Sequence, residues 1–328
     1  MKNFSYARAA SSEEVVAQLG IPGRNTMILS GGMDLLDLLK EGLETPDVLV
    51  SLANLDELKG IEALDGGGVL IGARTTLAEL AESPVLIANY SALALAAAGA
   101  ATPQIRHRAT LGGNVLQRPR CWYFRNADLG CMKTGGQGCP AVEGDNRYLA
   151  ILGGGPCHAV HASSPATALV ALGATVHVLG ADGLFEIAAE DLFAGPQVDV
   201  TTEHTLSNRD LIVAFSLTTP GAQETNTYKK VRHKEAYDWA MAETAVWLKV
   251  VGGIVESCRI VIGGVAPVPW RASAAEQWLT GRSASEANLT SASALALADA
   301  QPLSDNAYKV PIARHVVEQA LTYAVDAL

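Results

Sequence analysis

The sequence predicts an α+β fold, in which mixed helices and strands are followed by an antiparallel sheet and closing helices. Two Asp-Gly pairs, at 65–66 and 182–183, each separate two apolar runs, a pattern typical of β-hairpins. A glycine pair at 252–253 lies between apolar runs 244–251 and 258–262 and indicates a further pair of antiparallel strands. Beyond these strands the apolar side chains have the spacing of helices.

The first elements follow the same signals. An apolar run at 26–30 predicts a strand that ends at the glycine pair 31–32, and leucines at helical spacing follow it. A second strand is predicted over residues 48–52. Thr76 and Glu79 have the spacing of a capping box and predict the start of a helix.

The middle of the chain contains a long irregular segment. Residues 103–155 are rich in Gly, Pro and Arg and include three cysteines, whereas runs 90–101 and 165–172 on either side are helical in composition. Long structureless segments in compact domains are usually functional or disordered, so we predict a functional loop. The polar run 199–208 predicts a linker. The closing helices are predicted at about 272–279, 285–298 and 312–327.

Charge and hydropathy exclude two classes of partner. The 328 residues include 34 acidic and 24 basic side chains, for a formal charge of −10. Binding to nucleic acid or anionic lipid needs clustered Lys and Arg, so neither is expected. The best apolar run, 92–101, is shorter than the ~18 residues of a spanning helix, which predicts no membrane span. The N-terminus shows neither an apolar signal region nor a twin-Arg pair.

Two glycine pairs could form anion sites. Residues 30–35, Ser-Gly-Gly-Met-Asp-Leu, join a strand to a helix, where converging backbone N–H groups can hold a phosphate. Residues 108–114 contain a second pair beside Thr110 and Asn114. Each motif alone is more often an ordinary turn, but two of them favour a nucleotide cofactor.

Four of the five cysteines indicate a metal site. Cys121, Cys131, Cys139 and Cys157 lie within 37 residues, whereas Cys258 stands alone. Four thiolates suit either a zinc ion or a 4Fe–4S cluster, and the wide, irregular spacing suits a cluster wrapped by a loop. The alternative is four unrelated thiols. Cys258 alternates with apolar residues on a strand and is interpreted as a core residue.

Two weaker signals have ordinary alternatives. His158 and His161 could contact a metal or a flavin, but such histidines are usually only hydrogen-bonded. The basic run 229–234 is either a solvated strand edge or a partner for phosphate or a reduced, anionic ring. No residue pattern indicates hydrolytic catalysis, and no catalytic residue is assigned to this chain.

Five segments carry a resemblance to a known family: residues 30–36, 104–114, 117–124, 230–232 with Ala236 and Tyr237, and 263–271. Together they resemble the FAD-binding medium subunit of molybdenum hydroxylases, the xanthine dehydrogenase family. The four cysteines resemble its branch with an additional 4Fe–4S cluster, typified by bacterial molybdenum-dependent aldehyde oxidoreductase. The β subunit of 4-hydroxybenzoyl-CoA reductase is a more distant likeness.

The resemblance implies a vanillyl-alcohol-oxidase-type (PCMH-type) FAD-binding fold. It has two α/β subdomains and a C-terminal domain with a three-stranded antiparallel sheet and helices, like the flavoprotein of CO dehydrogenase. The expected boundaries are 1–57 and 58–205 for the subdomains and 206–328 for the C-terminal domain, with an iron–sulfur loop inserted at about 115–158.

The resemblance also implies the site residues. Cys121, Cys131, Cys139 and Cys157 would bind the 4Fe–4S cluster. The expected FAD-binding residues are Met27, Ile28, Leu29, Ser30, Gly31, Gly32, Met33, Asp34, Leu35, Thr102, Thr110, Gly113, Asn114, Ser164 and Lys230. Two positions depart from the family pattern: Met33 stands for a threonine, and Ser164 stands for an aspartate that would contact the ribose or the flavin.

The implied function is electron transfer within an oxidoreductase. A large molybdopterin subunit would oxidise the substrate, an aldehyde, and a small 2Fe–2S subunit would pass electrons to FAD and on to an external acceptor. The chain is then expected in the cytoplasm, or in the periplasm if a signal-bearing partner carries it. The alternatives are a self-contained FAD-dependent oxidase and a zinc-stabilised interaction module.

Overall fold

A computed structural model of the chain describes residues 1–234 and 237–328, so Ala236 of the resemblance lies outside the described residues. The described residues form three β-sheets with helices packed against them. The strands are β1 (Ser5–Arg8), β2 (Thr26–Leu29), β3 (Val48–Ser51), β4 (Ile61–Ala63), β5 (Val69–Gly72), β6 (Thr175–Gly180), β7 (Gly183–Ala188), β8 (Leu211–Leu217), β9 (Glu224–Val231), β10 (Ala242–Val251), β11 (Ile254–Gly263) and β12 (Trp270–Arg271).

The helices lie between and after these strands. None in the described residues is long and apolar enough to cross a membrane. They are α1 (Ser12–Leu19), α2 (Leu35–Lys40), α3 (Leu77–Glu82), α4 (Pro84–Asn89), α5 (Ser91–Ala98), α6 (Pro103–Arg106), α7 (Leu111–Val115), α8 (Ser164–Ala171), α9 (Ser273–Leu279), α10 (Glu286–Leu295) and α11 (Lys309–Asp326).

The first sheet is parallel, with strand order β1-β3-β2. The predicted strands at 26–30 and 48–52 are confirmed as β2 and β3. Strand β1 and helix α1 were not predicted, although a local signal exists. Ser11 caps α1 by accepting a hydrogen bond from the Glu14 backbone, and the Glu14 carboxylate accepts one from the backbone of Ala10.

The second sheet is antiparallel, with order β4-β5-β8-β6-β7. Both predicted Asp-Gly hairpins are confirmed, as β4–β5 and β6–β7. The Thr76–Glu79 capping box is also present and starts α3. Strand β8 falls within residues 206–328, the expected C-terminal domain, but the structure places it between β5 and β6, where Phe215 is fully buried. The apolar faces of α3, α5 and α8 pack against this sheet in the largest core cluster.

The third sheet has the order β12-β11-β10-β9 and packs against α9, α10 and α11. It contains three long antiparallel strands, as expected, and the two-residue strand β12. Helix α11 begins at the fully buried Lys309, whose ammonium donates hydrogen bonds to the carbonyls of Tyr148, Leu149 and Gly264. This contact fixes the end of the irregular segment to the C-terminal sheet.

Candidate functional site

A cavity of about 860 Å³ is lined by residues from strands of all three sheets. It brings together every expected FAD-binding residue except Leu29. The lining residues among them are Met27, Ile28, Ser30, Gly31, Gly32, Met33, Asp34, Leu35, Thr102, Thr110, Gly113, Asn114, Ser164 and Lys230. These residues come from distant parts of the chain, so their convergence depends on the fold.

The two glycine segments face each other across one wall of the cavity. The hydroxyl groups of Ser30 and Thr110 are hydrogen-bonded at 3.0 Å. A Cβ atom added at Gly31 would lie 2.9 Å from the carbonyl carbon of Arg108 and 3.2 Å from Cα of Ala109, which is closer than side chains allow. Gly31 therefore permits direct packing of the two segments.

Glycine is favoured at two further points of this wall. Gly32 has a φ of +74°, a conformation that L-residues rarely adopt, and a side chain there would also press on Leu36. A Cβ atom at Gly112 would lie 3.1 Å from the side chain of Ala73. The backbone thus approaches the cavity closely from both segments, which suits a cradle for phosphate groups.

The start of α8 supplies polar side chains to the same cavity. Ser163 caps the helix by accepting from the backbone of Ala166, and its hydroxyl donates to Oδ1 of Asn114 at 2.7 Å. This leaves the Asn114 amide nitrogen as the group that can donate into the cavity. The next residue, Ser164, donates to the carboxylate of Glu243 at 2.6 Å. The site therefore has a carboxylate directly behind Ser164, the serine that stands where the family pattern has an aspartate.

Lys230 lies on β9 and reaches the cavity beside helix α5. Its ammonium donates to the carbonyl of Gly99 at 3.2 Å, and Arg232 donates to the same carbonyl. Burial lowers the pKa of Lys230, while the negative charge of Glu243, its cross-strand neighbour, acts in the opposite direction. Among residues 229–234, the basic run in the sequence, Lys230 thus lines the cavity.

The cysteine-containing segment is fastened to the glycine turn through Asp34. One carboxylate oxygen of Asp34 pairs with Arg120 at 2.6 Å and with Arg125 at 2.7 Å, and the other accepts from the backbone of Arg118 at 2.8 Å. Asp34 makes no side-chain cap to α2. Its carboxylate instead joins the segment around Cys121 to the cavity wall.

A second carboxylate, Glu203, fixes the other side of the segment. It pairs with Arg118 at 2.8 Å and with Lys133 at 2.6 Å, and it is buried. The sequence predicts a linker over residues 199–208, and that prediction is wrong. Thr201, Thr202 and other residues of this run line the cavity, because the Glu203 ion pairs hold the run against the cysteine-containing segment.

An aromatic residue that the sequence did not single out lies on the cavity wall. Trp239 is half-exposed, and the Arg120 guanidinium lies 4.9 Å from the centre of its ring. Arg120 therefore contacts both Asp34 and Trp239. Trp239 belongs to no motif in the sequence, so only the folded chain shows its position beside Arg120.

The four clustered cysteines are shielded from solvent to different degrees: Cys131 and Cys157 are buried, and Cys121 and Cys139 are half-buried. Burial raises the pKa of Cys121 to about 11, and the thiols of Cys157 and Cys131 add to this rise. Burial likewise raises the pKa values of Cys131 and Cys157, and Cys139 contributes to both. Cys121 and Cys131 pack with Leu38 and Phe124 in a small apolar cluster. Metal binding here would release protons, because metal-bound cysteines are thiolates.

The arrangement of these thiols differs from a single-ion site. Within residues 1–234 and 237–328, no three Cys, His, Asp or Glu side chains are placed to hold one metal ion. The thiolates that hold a 4Fe–4S cluster lie farther apart than those that hold one metal ion, because each thiolate binds a different iron. The turns between the cysteines depend on glycine: the Gly136 amide donates to the Cys131 carbonyl, and a side chain at Gly136 would strike Gly130.

The other predicted candidates lie apart from the cavity lining. Cys258 is buried in the C-terminal core, which confirms its interpretation as a core residue, and burial raises its pKa to about 12. His161 is buried against Phe193, and burial lowers its pKa to about 4. His158 does not line the cavity either. A flavin contact by these histidines has no support in the structure.

Comparison with known proteins gives two family matches that divide the chain. The FAD binding domain in molybdopterin dehydrogenase matches residues 2–217, and the CO dehydrogenase flavoprotein C-terminal domain matches residues 226–324. Together they cover almost all of the sequence. The resemblance to molybdenum hydroxylase medium subunits is therefore confirmed.

Individual relatives are similar over their full lengths. The aldehyde oxidoreductase FAD-binding subunit PaoB of Escherichia coli K12 is 34% identical, with 99% of each chain covered. The carbon monoxide dehydrogenase medium chain of Hydrogenophaga pseudoflava is 28% identical, covering 98% of this chain and 96% of its own. A solved structure of carbon monoxide dehydrogenase from that organism superposes with a TM-score of 0.79, covering 99% of this chain and 98% of the other.

Proposed function

This chain belongs to the FAD-binding subunits of molybdenum-dependent oxidoreductases, and we propose that its 860 Å³ cavity is the FAD site of an aldehyde-oxidising complex. The observation that carries the proposal is the convergence of fourteen expected FAD-binding residues on one cavity. When bound, FAD would carry electrons from molybdenum- and 2Fe–2S-containing partner subunits to an external acceptor. The protein's own contribution is binding, orientation and electrostatics.

The residues around the cavity divide this work between them. The backbone of Gly31 and Gly32 would hold the pyrophosphate, because backbone N–H groups that converge at a glycine turn suit a phosphate and both residues line the cavity. Thr110 and Asn114 would add hydrogen bonds from the facing segment. Ser164 and Lys230 would meet the isoalloxazine end, where Lys230 brings a positive charge next to the cofactor.

The proposed partners are a large molybdopterin-binding subunit and a small 2Fe–2S subunit. Support comes from relatives that are named as medium chains or FAD-binding subunits of larger enzymes. The preference for an aldehyde rests on the relative named as an aldehyde oxidoreductase, which is more similar than the carbon monoxide dehydrogenase chains. In this arrangement the substrate binds to another subunit.

We further propose that Cys121, Cys131, Cys139 and Cys157 hold a 4Fe–4S cluster. Two of these thiols are buried and two are half-buried, and the segment that carries them is anchored through Asp34 and Glu203. Four thiolates around a cubane meet the usual ligand requirement.

The test is the cofactor content and reactivity of the purified full-length chain. One FAD per chain, with about four iron and four sulfide, is expected, and an aldehyde should reduce the flavin only in the presence of the partner subunits. Flavin reduction by an aldehyde in the isolated chain would favour a self-contained oxidase instead. One zinc per chain without iron would favour a zinc-stabilised interaction module, and a chain without flavin would refute the proposal.

A further inference from the structure

A buried carboxylate lies behind the Ser164 and Lys230 end of the cavity. Glu243 is only 2% exposed and sits on β10, directly across from Lys230 on β9. It does not line the cavity, whereas Ser164, which is 4% exposed, does. Glu243 can therefore act on a bound ligand only through its neighbours or through the field of its charge.

Three hydroxyl groups donate to the Glu243 carboxylate. Ser164 donates to Oε2 at 2.6 Å, Tyr228 donates to Oε2 at 2.5 Å, and Thr167 donates to Oε1 at 3.2 Å. Burial and the adjacent carboxylate raise the pKa of Tyr228 well above its usual value, so the phenol keeps its proton and remains a donor. An ionised carboxylate accepts hydrogen bonds only, and this set of donors suits it.

The sheet leaves a notch for this carboxylate. Gly263 on β11 is the other cross-strand neighbour of Glu243. A Cβ atom at Gly263 would lie 2.5 Å from Oε1 and 2.8 Å from Cγ of Glu243, so any side chain there would displace the carboxylate. Glycine at this position therefore leaves the space that the Glu243 side chain occupies.

The hydrogen bond to Glu243 sets the polarity of Ser164. A serine hydroxyl has one proton, and Ser164 gives it to Glu243, so the oxygen lone pairs are what it can present to the cavity. A ligand atom that meets Ser164 must then be a hydrogen-bond donor. The hydrogen bond from Ser164 to the Glu243 carboxylate strengthens that interaction, because linked hydrogen bonds polarise one another.

We propose that Glu243 is a positioning residue for FAD. By holding the proton of Ser164, it makes this serine the acceptor for an N–H or O–H donor of the bound flavin. Its charge also opposes the addition of electrons to a flavin at this end and so lowers the reduction potential. The inference rests on the proposed function only in that FAD must occupy the cavity.

The test compares variants of the full-length chain, with FAD itself as the probe. Ser164→Ala removes the acceptor, Glu243→Gln removes the charge, and the double variant removes both. Thr167→Val is the matched control, because it deletes another hydroxyl donor to the same carboxylate without changing the cavity lining. FAD affinity is measured by flavin fluorescence, the midpoint potential by redox titration and the stability of the apoprotein by urea unfolding.

Each of Ser164→Ala and Glu243→Gln should weaken FAD binding roughly tenfold, as expected for a charge-assisted hydrogen bond. Because they interrupt the same interaction, the double variant should lose no more than either single one. Glu243→Gln should also raise the flavin midpoint potential. Thr167→Val should keep FAD affinity within about threefold of the wild type.

A rescue variant separates positioning from simple structural support. Ser164→Asp alone places two carboxylates together and should weaken FAD binding, whereas Ser164→Asp with Glu243→Gln moves the single charge forward and should restore most of the affinity. Wild-type affinity and potential in Glu243→Gln would overturn the proposal, as would an equal loss in Thr167→Val. If Glu243→Gln does not fold, Gly263→Ala takes its place, because the added Cβ atom displaces the Glu243 carboxylate without changing the cavity lining, and unchanged FAD affinity and midpoint potential in that variant would overturn the proposal. A wild-type chain that does not bind FAD would instead refute the proposed function.

Discussion

The contact between the two glycine segments can be tested by adding one methyl group. Gly31→Ala places a Cβ atom 2.9 Å from the carbonyl carbon of Arg108, 3.2 Å from Cα of Ala109 and closer still to the Arg108 oxygen. All three atoms belong to the backbone, so no flexible side chain can move aside. The φ of Gly31 is not in the left-handed region, and the clash is therefore the main effect of the substitution.

The size of the effect follows from this geometry. Ordinary contact begins near 3.4 Å, so the glycine turn must move away from Arg108 by roughly 1 Å or more. Overpacking of this kind costs about 1 to 3 kcal/mol, and a backbone neighbour places the cost at the upper end. The same displacement separates the two walls that would hold the pyrophosphate. We therefore expect FAD affinity to fall by about 100-fold, equivalent to ~3 kcal/mol.

The assay is FAD titration of the full-length apoprotein, followed by flavin fluorescence, together with urea unfolding without FAD. Gly66→Ala is the control, because Gly66 also lacks a positive φ and has no atom within 4 Å of the added Cβ. It should change neither quantity measurably. Unchanged FAD affinity in Gly31→Ala would refute the view that close packing of the two glycine segments builds the cofactor site.

Three further substitutions test other parts of the structure. Asp34→Asn should lower the urea-unfolding free energy by about 2 kcal/mol, because it removes the charge shared by two arginines. Asp37→Asn should have little effect, because Asp37 is an exposed residue of α2 whose carboxylate is 4.0 Å from Lys40. Cys131→Ser should abolish the visible absorption of a bound iron–sulfur cluster, whereas Cys258→Ser should retain it. Retained absorption in Cys131→Ser would remove Cys131 from the ligand set. Burial lowers the pKa of Lys309 to about 7, so between about pH 7 and 10.5 the unfolded chain binds one more proton than the folded chain, and stability should rise with pH. Lys309→Met should remove this part of the slope of unfolding free energy against pH. An identical slope in the variant would contradict the assignment.

Features set by neighbouring residues could be predicted from the sequence. The hairpin at Asp65-Gly66 and the capping box of Thr76 and Glu79 depend on residues only a few positions apart, and the structure contains both. The position of β8 could not be predicted, since its assignment depends on pairing with two strands that are distant in sequence. Its apolar composition suits either sheet.

Among the site residues, too, those in short local motifs could be predicted from the sequence and those placed by distant contacts could not. The glycine segments around Gly31 and Gly113 are visible as short motifs, and family resemblance indicates the remaining cavity residues. Glu203 and Glu243 carry no such signal, because their partners Arg118 and Ser164 are about 80 residues away in the chain. A charged residue whose role comes from tertiary pairing looks, in the sequence, like any exposed one.

The packing of α5 along β9 has a consequence for association with other chains. Strand β9 is the edge of the C-terminal sheet, and an edge strand normally offers its backbone for pairing with another strand. Here Ser91 donates to the Asn226 carbonyl, and the Asn226 side chain accepts from the backbone of Ala92. At the far end of the helix, Lys230 binds the carbonyl of Gly99. This edge is therefore protected from strand addition, and a partner that binds here must be recognised through side chains.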